Sequence, residues 1–180
     1  MPLVSVDVKT IPTMHTENLS TLISDSGIVR CQAEAKVCDI FQNEGDPYWF
    51  FSQGIHVKRL DSLFHVEVDI VADTAYYYEK KQLWRAIANV VVKNMEGTTF
   101  ETSELYWNQI APPNALNAFY TDQPVKVTKI DGTVLPGLNG FRADQSLNTI
   151  RFLAVRKGSF NVEETDTLQN TVSSDTIQRL

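Results

Sequence analysis

A period of 35 residues constrains this chain more than any other feature. Val57, Val92, Val127 and Val162 stand 35 residues apart, and Leu22 extends the series towards the N-terminus. An acid follows each valine by four residues: Asp61, Glu96, Asp131 and Asp166. A small residue follows each acid: Ser62, Gly97, Gly132 and Thr167. Trp49, Trp84 and Phe119 precede three of the valines by eight residues, and Ala154 breaks that column. Columns that keep one register mark a repeated unit, and a fixed period decides the architecture before any local assignment.

The runs that hold the columns, VVVKN and PVKVTKI, are rich in β-branched residues and end in turn pairs. That is strand chemistry, so the unit is a hairpin. A two-residue turn at Asp61-Ser62 predicts Ile55 and Val57 opposite Val68 and Val66, with Phe64 and Ile70 on the same side. His56, Lys58, His65, Glu67 and Asp69 fall on the other side. One apolar and one charged face is the period-two signature of a half-buried sheet. The next hairpin suits a three-residue turn, Met95-Glu96-Gly97, with the glycine left-handed. Val90 and Val92 then share a face with Phe100 and Thr102. Further turns are predicted near Asp25-Ser26-Gly27, at Glu79-Lys80-Lys81 and at Asp131-Gly132, with loops at QNEGDP and IAPPNALNA.

At 180 residues this is one domain's worth of chain. Residues 1–18 read as an extended polar leader, 19–167 as the β-domain and 168–180 as a frayed tail. A net charge of −6 argues against a nucleic-acid binder, which needs a basic face. No run is long enough for a membrane-spanning helix, and no signal peptide is visible. Cys31 and Cys38 are seven apart, which on a straight strand puts them on opposite faces. They read as small buried residues, with a disulfide across a bulge as the alternative.

Catalytic patterns are missing. Of the three histidines, His15 lies in the leader, and His56 and His65 sit on the charged side of one hairpin beside Lys58. With no cysteine or third histidine near them, solvated strand residues explain them better than a metal site. PGLNG lacks the lysine and the following helix of a phosphate loop, and no nucleophile elbow is present. The periodic acids are accounted for as turn residues. The aromatic set Trp49, Phe50, Phe51, Tyr76, Tyr77, Tyr78, Trp84, Tyr106, Trp107, Phe119 and Tyr120 fits either core filling or the rim of an apolar groove.

The segments ADTAYYYEKKQLWR, NVVVKNMEGTTFETSELYWNQ, FYTDQPVKVT, DGTV and GFRADQ occur in an order that resembles the LptC-like family of lipopolysaccharide-export proteins, within the wider OstA-like group. LISDSG is similar to the start of that domain in Bacteroidetes-type members. The resemblance covers roughly Leu19 to Val162. The chain departs from the family pattern at Ala88, where a glycine is frequent, in the longer IAPPNALNA link, in the expanded LPGLNG and in the tail after Val162.

The resemblance implies a twisted antiparallel β-jellyroll built from hairpin repeats, open at both ends and apolar inside. It implies a non-catalytic carrier without cofactor or metal. Such a carrier accepts lipopolysaccharide from an inner-membrane ABC extractor and passes it to a periplasmic OstA-like partner of the same fold. The location implied is the periplasm, with an inner-membrane anchor upstream of this sequence. The expected lipid trough is Ile55, Val57, Phe64, Val66, Val68, Val90, Val92, Phe100, Val125, Val127, Phe141 and Ile150. The expected partner edge is Ser159, Phe160, Asn161 and Val162, joined by strand addition. Two alternatives remain: a β-sandwich module binding polysaccharide through exposed aromatics, and a sibling OstA-like periplasmic bridge.

Overall fold

The structure is a computed structural model describing residues 11–42 and 45–153. These residues form eleven strands and no helix. The strands are β1 (Met14–Asp25), β2 (Ile28–Phe41), β3 (Tyr48–Phe51), β4 (Ile55–Leu60), β5 (Val66–Ala72) and β6 (Thr74–Tyr78). β7 (Leu83–Asn94), β8 (Thr99–Asn108), β9 (Phe119–Thr128), β10 (Val134–Ala143) and β11 (Ile150–Phe152) follow. All strand pairs are antiparallel. The pairings close a six-strand ring through β2, β4, β5, β7, β6 and β3; β1 is added on β2, and β8 to β11 continue from β7.

The ring arises from a crease. β3 and β4 are two pieces of one chain stretch, as are β5 and β6, and both pairs break at the same level. Gly54 N–H donates to Asp73 O at 2.7 Å, and Asp73 N–H donates to Ala88 O at 3.0 Å. Gly54 has φ 88°, Ala88 φ 63° and Asn89 φ 48°, all left-handed. Asn18 in β1 is also left-handed, at φ 54°. Irregular positions aligned on neighbouring strands bend and twist a sheet. The apolar face is thereby turned inward on itself. Gln109, just after β8, reaches Cys31 on β2 at 3.6 Å, and Asn94 on β7 reaches the Leu147 carbonyl at 3.2 Å.

The period of 35 has a structural meaning. Each aromatic and its valine lie on one strand stretch: Trp49 and Val57 on β3–β4, Trp84 and Val92 on β7, Phe119 and Val127 on β9. An even spacing puts both on the inner face, and Trp84, Phe119 and the three valines are buried while Trp49 packs against them. The acids Asp61, Glu96 and Asp131 fall in the turns that follow. Leu22 does not belong to the series, because it is exposed opposite Gln32 on β1–β2. Val162 and Asp166 lie outside the described residues, as does the tail.

Several turns form as predicted. Gly97 closes the Met95-Glu96-Gly97 turn at φ 83°, and Val90 and Val92 face Thr102 and Phe100. The Asp61 turn is longer than expected. It spans five residues from Asp61 to His65, so Val57 pairs with Ile70 and Arg59 with Val68. A bulge between Arg59 and Leu60 then turns the first residues of β5 over. Residues 14–18, expected to belong to the leader, lie in β1. The two cysteines do not face opposite ways. β2 pairs β4 over Cys31–Ala35 and β3 over Asp39–Phe41, and the bend between them brings Cys31 and Cys38 both inside. Both are free thiols.

Candidate functional site

The expected trough residues separate into three groups. Ile55, Val57, Val68, Val90, Val92, Phe100, Val125, Val127 and Phe141 are buried in one core. Ile150 is half-buried against it. Phe64 and Val66 are exposed, because the five-residue turn and the bulge carry them out of the inner face. The interior is also not an open lumen. Between Ile55, Val57, Ile70, Trp84, Leu105 and Trp107 the free volume is about 10 Å³, room for about one water. Trp84 stacks on Tyr77 at 4.6 Å and Phe51 at 5.6 Å, and Trp107 stacks on Phe119 at 5.5 Å. Aromatic side chains, which the sequence left between core and groove rim, pack this part of the interior.

Open space lies instead at the margin of the core. A cleft of about 710 Å³ runs between the β7–β8 turn, the β9–β10 turn and the segment from Leu147 to Phe152. Its floor is apolar: Phe100, Val127 and Leu147 are buried, and Leu135, Ile150 and Phe152 are half-buried. Its rim carries Glu96, Lys129, Asp131 and Asn148. The Thr133 N–H bonds the Asp131 carboxylate at 2.8 Å and holds its pKa below the usual value. An apolar floor with a charged rim suits an amphiphile of modest size, and the volume is that of a small-ligand site.

The sequence found Phe100, Val127 and Ile150 in this cleft and missed Leu135, Leu147 and Phe152. Phe152 was accessible by period two from Ile150. Leu147 was not, because it sits in a loop with φ 55° and follows no alternation.

That loop, Asp144 to Thr149, has a dense polar frame. The Asp144 carboxylate accepts the N–H groups of Ser146, Asn148 and Thr149 at 3.0–3.2 Å. Gln145 is buried; it accepts from Trp107 Nε1 at 3.0 Å and donates to the carbonyls of Asn108, Gln109 and Ala111 at 2.9–3.2 Å. The Ala-Asp-Gln of GFRADQ is therefore loop-fixing chemistry. On the far side of Gln145 lies a second cleft of about 400 Å³, lined by Arg30, Arg59, Tyr77 and Gln109. Arg59 is ion-paired with Glu67, and burial lowers its pKa.

The outer face carries a cross-strand row: Tyr76, Arg85, Tyr106, Tyr120 and Arg142. The Tyr106 and Tyr120 rings stack at 5.1 Å, with Arg85 over the first and Arg142 over the second. Each guanidinium is held by a carboxylate, Glu104 at 2.7 Å and Asp122 at 2.6 Å. The rings of Tyr106 and Tyr120 are thus partly covered by one another and by arginine, and a second group of half-exposed rings, Tyr48, Phe50, Tyr76 and Tyr78, stands on β3 and β6. His56 pairs with Asp69 at 2.7 Å and His65 with Asp61 at 3.1 Å, each with its own carboxylate. Among the described residues no three metal-ligating side chains converge, and no helix is long and apolar enough to cross a membrane.

The outer edges of β1 and β11 have no strand partner among the described residues. The expected partner edge, Ser159 to Val162, lies outside them. Compared with known proteins, the chain matches no family model and no curated protein.

Proposed function

We propose that this chain is a non-catalytic lipid-binding bridge of the lipopolysaccharide-export type, a jellyroll that takes acyl chains at its marginal cleft. The observation that carries the reading is the 710 Å³ cleft, whose floor continues the core face and whose rim is charged. Each methylene moved from water into such a floor gains about 0.8 kcal/mol, so even a partly seated chain is held. The resemblance in sequence supplies the lipid's identity, the inner-membrane ABC extractor as donor, the periplasmic OstA-like partner as acceptor and the periplasm as the location.

The bound lipid does not occupy the packed interior. One chain seats in the cleft, and a lipid with several chains requires the creased sheet to part beyond it. The edges of β1 and β11, unpaired among the described residues, offer places for strand addition by a partner. The test is displacement of a fluorescent fatty-acid probe from the protein. Lipopolysaccharide displaces it and the delipidated sugar does not. Displacement by the sugar, or no probe binding, rejects the reading.

A further inference from the structure

Some large apolar side chains are exposed elsewhere, Met14 and Leu22 on β1 and Ile110 after β8, but four stand at the tips of three neighbouring hairpin turns. The β4–β5, β7–β8 and β9–β10 turns follow one another along the same margin of the sheet, because Val68 pairs with Asn94 and Thr99 with Thr128. Their tips expose Leu63 at 71%, Phe64 at 65%, Met95 at 65% and Ile130 at 80%. Val66 and Val134, next to the first and third turns, are exposed as well. On the opposite margin the β6–β7 turn is Glu79-Lys80-Lys81-Gln82, and the neighbouring β8–β9 connection exposes one large apolar side chain, Ile110.

The first of these turns is built to point outward. Phe64 has φ 65°, a left-handed conformation that a bulky residue rarely takes. Asp61 fixes it, accepting the N–H groups of Leu63 and His65 on its carboxylate at 2.7 and 2.8 Å and that of Phe64 on its carbonyl at 3.2 Å. The second and third turns touch, since the space beside Gly97 is bounded by the Ile130 side chain. The marginal cleft opens between them.

We infer that this margin rests on a lipid bilayer, with Leu63, Phe64, Met95 and Ile130 entering the interface and the cleft mouth facing the lipid. The occupant follows from the form of the patch. A specific protein partner needs about 800 Å² of continuous surface per side, whereas these side chains stand on separate turns with Asp61, His65, Glu96 and Asp131 between them. A fluid interface accommodates separate apolar tips, and the acidic groups between them point to a zwitterionic surface rather than an anionic one. The inference rests on the lipid-carrier reading for the fate of the lipid, but the two fail separately.

The full chain is mixed with sucrose-loaded phosphatidylcholine vesicles and sedimented. The protein co-sediments, and 0.5 M salt, about five times a common 0.1 M buffer, leaves the bound fraction unchanged. The triple variant Leu63→Ser, Phe64→Asn, Met95→Ser binds at least about tenfold more weakly while the fatty-acid probe still enters the cleft, which the variant leaves intact. Asparagine tolerates the left-handed turn, so the variant folds. Phe64→Trp emission shifts to the blue on vesicle addition. Wild-type protein left in the supernatant, binding lost in salt, a triple variant that binds like wild type, or a dimer in solution that the triple variant abolishes would each overturn the inference. Vesicle binding without probe binding would remove the cleft reading and leave this one standing.

Discussion

Asn89 donates from its side-chain amide to the Asp73 carboxylate at 2.6 Å, across the line on which the sheet creases. Asp73 is the break between β5 and β6, and Asn89 lies beside it on β7 where that strand's register shifts. Asp73 also joins Gly54 and Ala88 through its backbone. The crease is therefore a connected feature, and it turns one apolar face into a closed core.

Ala88 occupies this crease with φ 63°, where a Cβ is strained by about 1–2 kcal/mol. Ala88→Gly relieves the strain and gives back part of the gain in unfolded-chain entropy. The expected net result is a stabilisation of up to about 1 kcal/mol, read as a higher urea midpoint at unchanged slope. A lower midpoint would mean that the crease does not need this conformation.

Gln145→Ala removes the acceptor for Trp107 Nε1 and the donor for three carbonyls around the β8–β9 loop. Leaving such buried groups unpaired costs about 1–3 kcal/mol. Equilibrium unfolding should show that loss, with an altered near-ultraviolet signal from Trp107. A variant as stable as wild type would show that the loop's polar frame is dispensable.

Much of the fold was legible because its signals are local. The valine and aromatic columns report strands that alternate, and Gly97 and Asp131-Gly132 report turns whose residue types fix their shape. What was not legible depends on contacts across the sheet. Five residues from Asp61 to His65 look like a two-residue turn because Asp-Ser is a good turn pair, but the Asp61 carboxylate organises a longer one. Cys31 and Cys38 share a side because β2 bends where it changes partners, and no spacing rule records a change of partner. Of the site, Phe100, Val127 and Ile150 came from alternation. Leu147 donates its N–H to the Asp144 carbonyl within the loop and accepts from Asn94, which only the fold brings to it.

Burial pushes the Cys31 thiol up to about 12 and the Cys38 thiol up to about 11. Thiolate is the reactive form, so neither should react with iodoacetamide at pH 8 in the folded protein, and both should react in urea. Mass spectrometry of the treated protein checks this. Alkylation of the native state at the rate of the unfolded chain would show that β2 opens freely.

Two side chains at strand ends titrate with opposite consequences. The hydrogen bond to Asp39 raises the His15 pKa above 6.5, so its support for β1–β2 pairing is complete below that pH and is lost as pH rises through the raised value. The His65 backbone N–H lowers the Asp61 pKa below 3.8, so its support for the β4–β5 turn is complete above that pH and is lost as pH falls through the lowered value. An NMR titration should place the His15 midpoint above 6.5 and return it towards 6.5 in Asp39→Asn. An unshifted His15 in the wild type would contradict the pairing.

On the proposed function, acyl chains enter at the margin and not over the outer face. A photo-reactive phenylalanine analogue placed in turn at Phe152, Leu135 and Tyr106 tests it with purified lipopolysaccharide. Crosslinked lipid is expected from positions 152 and 135 and none from 106. Crosslinks from position 106 alone, or from none of the three, would contradict it.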